Sequence, residues 1–100
     1  MPNIKPAKIT SHKENDPLDR KDTVIGTTES DTDAISVTVG DDDKTYGGTI
    51  IFTAGKPRWE AKFNLPQSVS GVKTLTVTAY DVRGPGPVDA EVRSIKVKVV

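Results

Sequence analysis

The stretch Arg58-Trp59-Glu60-Ala61-Lys62-Phe63-Asn64-Leu65 decides how the chain folds. Trp59, Ala61, Phe63 and Leu65 fall at every second position, with Arg58, Glu60, Lys62 and Asn64 between them. Two is the side-chain period of a β-strand, whose successive residues point to opposite faces. One side of this strand is therefore core and the other is water. The alternation returns downstream, where Leu75, Val77 and Ala79 alternate with Thr74, Thr76 and Thr78 within Val72 to Asp81. It returns again in Glu91 to Val100, with Ile95, Val97 and Val99 inward and Ser94, Lys96 and Lys98 outward. Upstream, Ala34 to Val39 sets Ile35, Val37 and Val39 against Ser36 and Thr38, and Thr23 to Thr27 and Gly48 to Thr53 read as further strands. Lys8-Ile9-Thr10, with Ile4 nearby, makes a weak first strand that Pro2 and Pro6 confine to an edge.

Between these segments lie turn signals. Ser11 to Asp22, polar and carrying Pro17, reads as a loop crossing from one edge to another. Glu29 to Asp33 is a polar loop, and Gly40-Asp41-Asp42-Asp43-Lys44 is a reversal, because Gly and Asp tolerate the conformations a reversal needs. Ala54 to Pro57, Pro66 to Gly71 and Arg83-Gly84-Pro85-Gly86-Pro87 close the remaining strands. Twelve Val, seven Ile and twelve Thr against three Leu and one Met favour strands over helices. No stretch carries an apolar stripe of helical period. Seven short strands in 100 residues would leave one apolar face wet in a single flat sheet, so the expected fold is all-β, a sandwich of two antiparallel sheets in one module spanning residues 1–100. Trp59, on the inward set, is expected to bury against Leu75 or Ile95.

Composition removes several chemistries. The absence of Cys excludes a disulfide framework, a thiolate nucleophile and Cys-based metal sites. The single His12 lies among Lys13 and Glu14 in a polar loop, with no nucleophile elbow and no ordered partner in sight, and is expected to be solvated. Gly47-Gly48 and Gly84-Pro85-Gly86-Pro87 are turns, not phosphate cradles. These features point away from an enzyme. The apolar runs are far shorter than the roughly 20 residues that span a bilayer, so no membrane insertion is expected. Fourteen basic against fourteen acidic residues argue against nucleic acid as a partner.

That neutral sum is unevenly spread. Residues 23–43 hold six acidic residues and no basic one, whereas residues 44–100 hold nine basic and four acidic. With Asp41 to Asp43 at one pole and Arg93, Lys96 and Lys98 on a different face, adjacent modules would meet with opposite charges, screened within about 8–10 Å.

Two kinds of ligand site are conceivable. Ca²⁺ takes 6–8 oxygens, and the candidate ligands are Asp41, Asp42 and Asp43, or the alternately spaced Glu29, Asp31 and Asp33 joined by Asp81 or Asp89. Acidic residues in turns ordinarily serve solvation, and neither set follows the alternating Asp loop with a closing Glu. A glycan site needs coplanar exposed rings. Trp59, Phe63 and Phe52 belong to the core, which leaves Tyr46 on a turn, Tyr80 on an outward face, and Arg83 beside them as candidate ligand-binding residues. The Thr74, Thr76, Thr78 row is expected to be the outer face of a sandwich sheet, where β-branched residues pack well.

Trp59 to Leu65, then Gly71-Val72-Lys73-Thr74-Leu75-Thr76-Val77-Thr78-Ala79-Tyr80-Asp81, a Gly-containing turn and the final Val97-Lys98-Val99-Val100 together resemble the bacterial immunoglobulin-like (Big-type) modules. Thr23 to Thr27 and Ile35 to Gly40 look like that family's second and third strands. Arg83 to Pro87 departs from the family, which commonly has Gly-Asn there. The resemblance implies a non-catalytic module of a larger secreted or cell-surface protein, spacing or presenting a neighbouring catalytic or adhesive domain of the same chain. Such modules also serve as carbohydrate- or protein-binding accessory domains, and phage decoration domains use similar sandwiches. The chain ends of such a sandwich are expected at opposite poles, with a long antiparallel pairing of first and last strands resisting extension.

Overall fold

The computed structural model describes residues 6–28, 32–41, 43–53, 56–81 and 89–100. Among them the structure is all-β, with strands β1 (Lys8–Ile9), β2 (Asp16–Leu18), β3 (Thr23–Thr27), β4 (Ala34–Gly40), β5 (Thr45–Gly47), β6 (Thr49–Phe52), β7 (Arg58–Lys62), β8 (Gly71–Asp81) and β9 (Asp89–Val99). They form a four-stranded sheet in the order β1-β3-β7-β6 and a five-stranded sheet in the order β2-β9-β8-β4-β5. With the two short strands β2 and β5 set aside, the first, second, fifth and fourth strands form one sheet and the third, sixth and seventh the other. That is the immunoglobulin arrangement.

The alternating segments bury the residues their period assigns. Ile35, Val37, Val39, Trp59, Ala61, Phe63, Leu65, Leu75, Val77, Ala79, Val97 and Val99 all lie in one core, joined by Ala7, Leu18, Val24 and Val69. Trp59 is fully buried, Leu75 is in the same cluster, and Ile95 packs against it from a half-buried position. The indole owes its place to Gly26, its register partner on β3. A Cβ at Gly26 would fall on the Lys8 carbonyl oxygen and on the Trp59 ring itself, so only glycine lets the ring lie against β3 with β1 above it. The indole Nε1 donates to the Thr27 carbonyl at 3.2 Å, which satisfies the one polar atom of the buried ring.

Among the described residues nine strands replace the expected seven, and both additions are short. β2 lies inside the stretch expected to be a loop. It runs parallel to β9, with Asp16, Pro17 and Leu18 opposite Val97, Lys98 and Val99. The Leu18 carbonyl faces β9 and accepts the Val100 amide at 3.0 Å, so the Pro17 nitrogen faces away from the sheet, where its missing N–H costs no ladder bond. β5 continues the acidic reversal as a hairpin strand on β4 and carries Tyr46, expected on a turn. The strand expected over Arg58–Leu65 ends at Lys62. The Phe63 and Leu65 amides, however, continue onto the Asp22 and Arg20 carbonyls at 2.8 Å each, which keeps both side chains inward. Ile4 and Arg83 to Pro87 lie outside the described residues.

The expected antiparallel pairing of first and last strands is not what forms. β1 pairs with β3 in the opposite sheet, and the chain then crosses to lay β2 beside β9 in parallel. The crossing is fixed locally. Lys13 N–H donates to Asp16 Oδ2 and Asp16 N–H to the Lys13 carbonyl, while Asn15 takes a positive φ of 71° and donates its amide to the Lys96 carbonyl at 2.7 Å.

Candidate functional site

The carboxylates singled out in the sequence divide between two ends of the molecule. Asp33 and Asp41 flank the seven-residue β4, which at about 3.3 Å per residue sets them roughly 25 Å apart. At one end, Asp33 donates its amide to the Tyr80 carbonyl, next to the buried Asp81. Thr32 is fully buried there, and its hydroxyl has no hydrogen-bond partner among the described residues. At the other end, Asp41 and Asp43 are exposed at the β4–β5 reversal. Glu29, Asp31 and Asp42 lie outside the described residues, as does Arg83. Among the described residues no three His, Asp or Glu side chains converge as a cation cage.

Asp41 is already engaged. Lys73 Nζ sits 3.0 Å from its Oδ2, and the Lys44 amide reaches Oδ1 at 3.4 Å. The Lys73 hydrogen bond, then the Lys44 amide, hold its carboxyl below the usual carboxylate range. The ladder also places Gly40, Thr74 and Lys96 in one row, so Asp41 lies at the same end of the sheet as Lys96 and Lys98. The charge asymmetry seen in the sequence is partly neutralised within the module.

Tyr46 and Tyr80 are not brought onto one surface. Tyr46 is directly opposite the inward Val39 and packs against the core, with Lys44 Nζ 5.3 Å from its ring centroid. Tyr80 is opposite Ala34 and Ala90, on the outer face of the same sheet. The Thr row is knitted into that outer face. Thr76 Oγ1 lies 3.3 Å from Ser94 Oγ, and Lys96 Nζ donates to Thr74 Oγ1 at 2.9 Å.

The arrangement around His12 is not legible from the order of residues alone. Expected to be solvated, this side chain is only 9% exposed. Its Nε2 lies 3.3 Å from Asp22 Oδ2 and its Nδ1 lies 2.7 Å from Ser11 Oγ, which itself accepts the Ile25 amide at 2.8 Å. The Asp22 carboxylate also receives the Asp19 and Thr23 amides. This Ser-His-Asp chain has the residue types of an acyl-transfer triad in another geometry: the serine and histidine are sequence neighbours, and the serine oxygen is committed to the β3 backbone. The chain of bonds ties the crossover to β3 from both sides.

Beside it opens a cleft of about 320 Å³ lined by Lys8, Ile9, His12, Lys13, Arg93 and Ile95. Arg93 belongs to the inward set of β9, beyond the apolar run of its own strand, and its Nε donates to the Ala7 carbonyl at 2.8 Å. Sequence separation hid this cleft, since residues 8–13 and 93–95 meet only because the chain changes sheets between β1 and β2. Among the described residues no helix is long and apolar enough to cross a membrane. Compared with models of known protein families and with curated proteins, the chain matches none.

Proposed function

We propose that the chain is a non-catalytic, tension-carrying spacer of a secreted or cell-surface protein, holding a neighbouring catalytic or adhesive domain of the same polypeptide in position. The parallel register of β2 on β9 carries this reading. The described chain enters beside Arg93, where Ala7 accepts its guanidinium, and leaves beyond Leu18 at the other end of β9, where Val100 is bonded. Tension applied on the N-terminal side of β2 and the C-terminal side of β9 therefore pulls two parallel strands past each other. Every bond between them is loaded together, whereas an antiparallel terminal pair would open one bond at a time. An elongated body of 42 × 25 × 21 Å suits a rod segment.

The test is single-molecule stretching of a tandem polyprotein. Pulled through its ends, each module should resist more strongly than when pulled between an Asp43→Cys attachment point and the C-terminal end, a geometry that peels the β4–β5 hairpin from the sheet. Val100→Pro, which removes the amide bonded to Leu18, should lower the end-to-end force. Equal forces in both geometries would refute the proposal.

A further inference from the structure

We infer that the cleft between β1, the crossover and β9 is a carboxylate-binding site, which goes beyond a spacer role. Three observations converge on it. Its lining carries Lys8, Lys13 and Arg93, and none of the three has an ion-pair partner among the described residues. The carboxylates close by in sequence are turned to other work: Glu14 accepts the Lys96 amide, Asp16 the Lys13 amide, and Asp22 the His12 ring. Glu91 is exposed and outside the lining. The cleft therefore gathers positive charge that pairs with no carboxylate among the described residues, in contrast to Lys73, which is held by Asp41.

The second observation is preorganisation. Arg93 is fixed through its Nε by the Ala7 carbonyl, so its terminal nitrogens keep their donors for a ligand. A guanidinium fork matches the planar geometry of a carboxylate with two parallel N–H bonds. His12 is held by Ser11 and Asp22, and so forms a rigid wall. A ligand meeting these two groups orders little that is not already ordered, which leaves more of the contact energy as affinity. Lys8 and Lys13, both exposed at the rim, add attraction at longer range.

The third is the floor. Ile9 and Ile95 are aliphatic and half-buried, and no Phe, Tyr or Trp ring lines the cleft. A sugar would find no stacking platform, whereas a short methylene chain ending in a carboxylate satisfies both the floor and Arg93. The volume of about 320 Å³ lies at the small end of ligand sites. The ligand class is accordingly a carboxylate on a short aliphatic chain, supplied either as a free small acid or as a glutamate side chain of a peptide.

The experiment is an amide-shift NMR titration of the full chain with glutarate and, separately, with a capped Gly-Glu-Gly peptide. Glutaramide, the Gln peptide and inorganic phosphate serve as controls. Saturable shifts confined to residues 8–13 and 93–95, from glutarate or from the Glu peptide, with weaker responses to all three controls, support the site. The tighter of the two ligands names the source. Arg93→Gln should weaken binding about tenfold, and Arg93→Lys should recover only part of it because the fork is lost. If Arg93→Gln does not fold, Lys8→Gln/Lys13→Gln, at two exposed positions, should weaken the same binding severalfold. No saturable shift, shifts spread equally over Lys62, Lys96 and Lys98, or phosphate binding as tightly as the carboxylates would overturn the inference.

Discussion

The two sheets are built to different strengths. In the five-stranded sheet β8 and β9 pair over eleven positions, and β4 adds seven more on the other side of β8. In the four-stranded sheet the longest ladder is the five positions of β3 on β7, and β1 holds by only two. The first is a backbone structure with side chains attached, and the second depends on the packing of its own side chains, chiefly Trp59. The difference teaches where the module should yield. Amide exchange should be slowest along β8 and the facing half of β9, and markedly faster in β1 and β6.

The largest break in that comparison is Trp59→Ala. Truncating a fully buried indole should cost about 3–5 kcal/mol in urea denaturation, and should speed amide exchange in β3 and β7 before β8. Next comes Gly26→Ala. The added methyl meets the Lys8 backbone and the Trp59 ring, so a cost of about 1–3 kcal/mol is expected, concentrated in the loss of β1 protection. Ser11→Ala removes the acceptor of the Ile25 amide and the partner of His12 Nδ1. A loss of about 0.5–1.5 kcal/mol by the same melt is expected, with the β3 edge loosened more than any part of the larger sheet.

The smallest effect is reserved for the larger sheet. Asp41 is held below the usual carboxylate range in the folded state, so its contribution is present at neutral pH and is lost as acid carries the solution down through its folded value. Carboxyl-detected NMR should find Asp41 titrating below the ordinary carboxylate range, and Lys73→Gln should return it toward that range. A Lys73→Gln protein in which Asp41 does not move would remove the ion pair as the cause.

What the sequence disclosed follows the same division. The long ladders were legible because each strand has one wet face, and the period of two in Ile35-Val39, Leu75-Ala79 and Ile95-Val99 is visible without knowing any partner. β2 and β5 were not, because three residues give too little alternation to register, and Pro17 argues for a loop unless one knows that its nitrogen faces the sheet's edge. The site residues fared worse for a different reason. Arg93 continues the inward set of β9 past the apolar run of that strand. Its role depends on residues 7–13, more than eighty positions away, being drawn across the gap between the sheets. From sequence His12 reads as solvated, because Ser11 and Asp22 are ordinary polar residues at the two ends of a polar stretch.

Trp59 is the only tryptophan in the chain, which makes the Gly26 pocket an optical instrument. Its indole is sealed from water, bonded to one carbonyl and bordered by the Lys8 carbonyl of β1, so its emission should be blue-shifted and poorly quenched by acrylamide. Lifting β1 alone would uncover the ring while the larger sheet stayed intact. A red shift that precedes the loss of far-ultraviolet circular dichroism would then report, without any label, the moment at which the first strand lets go.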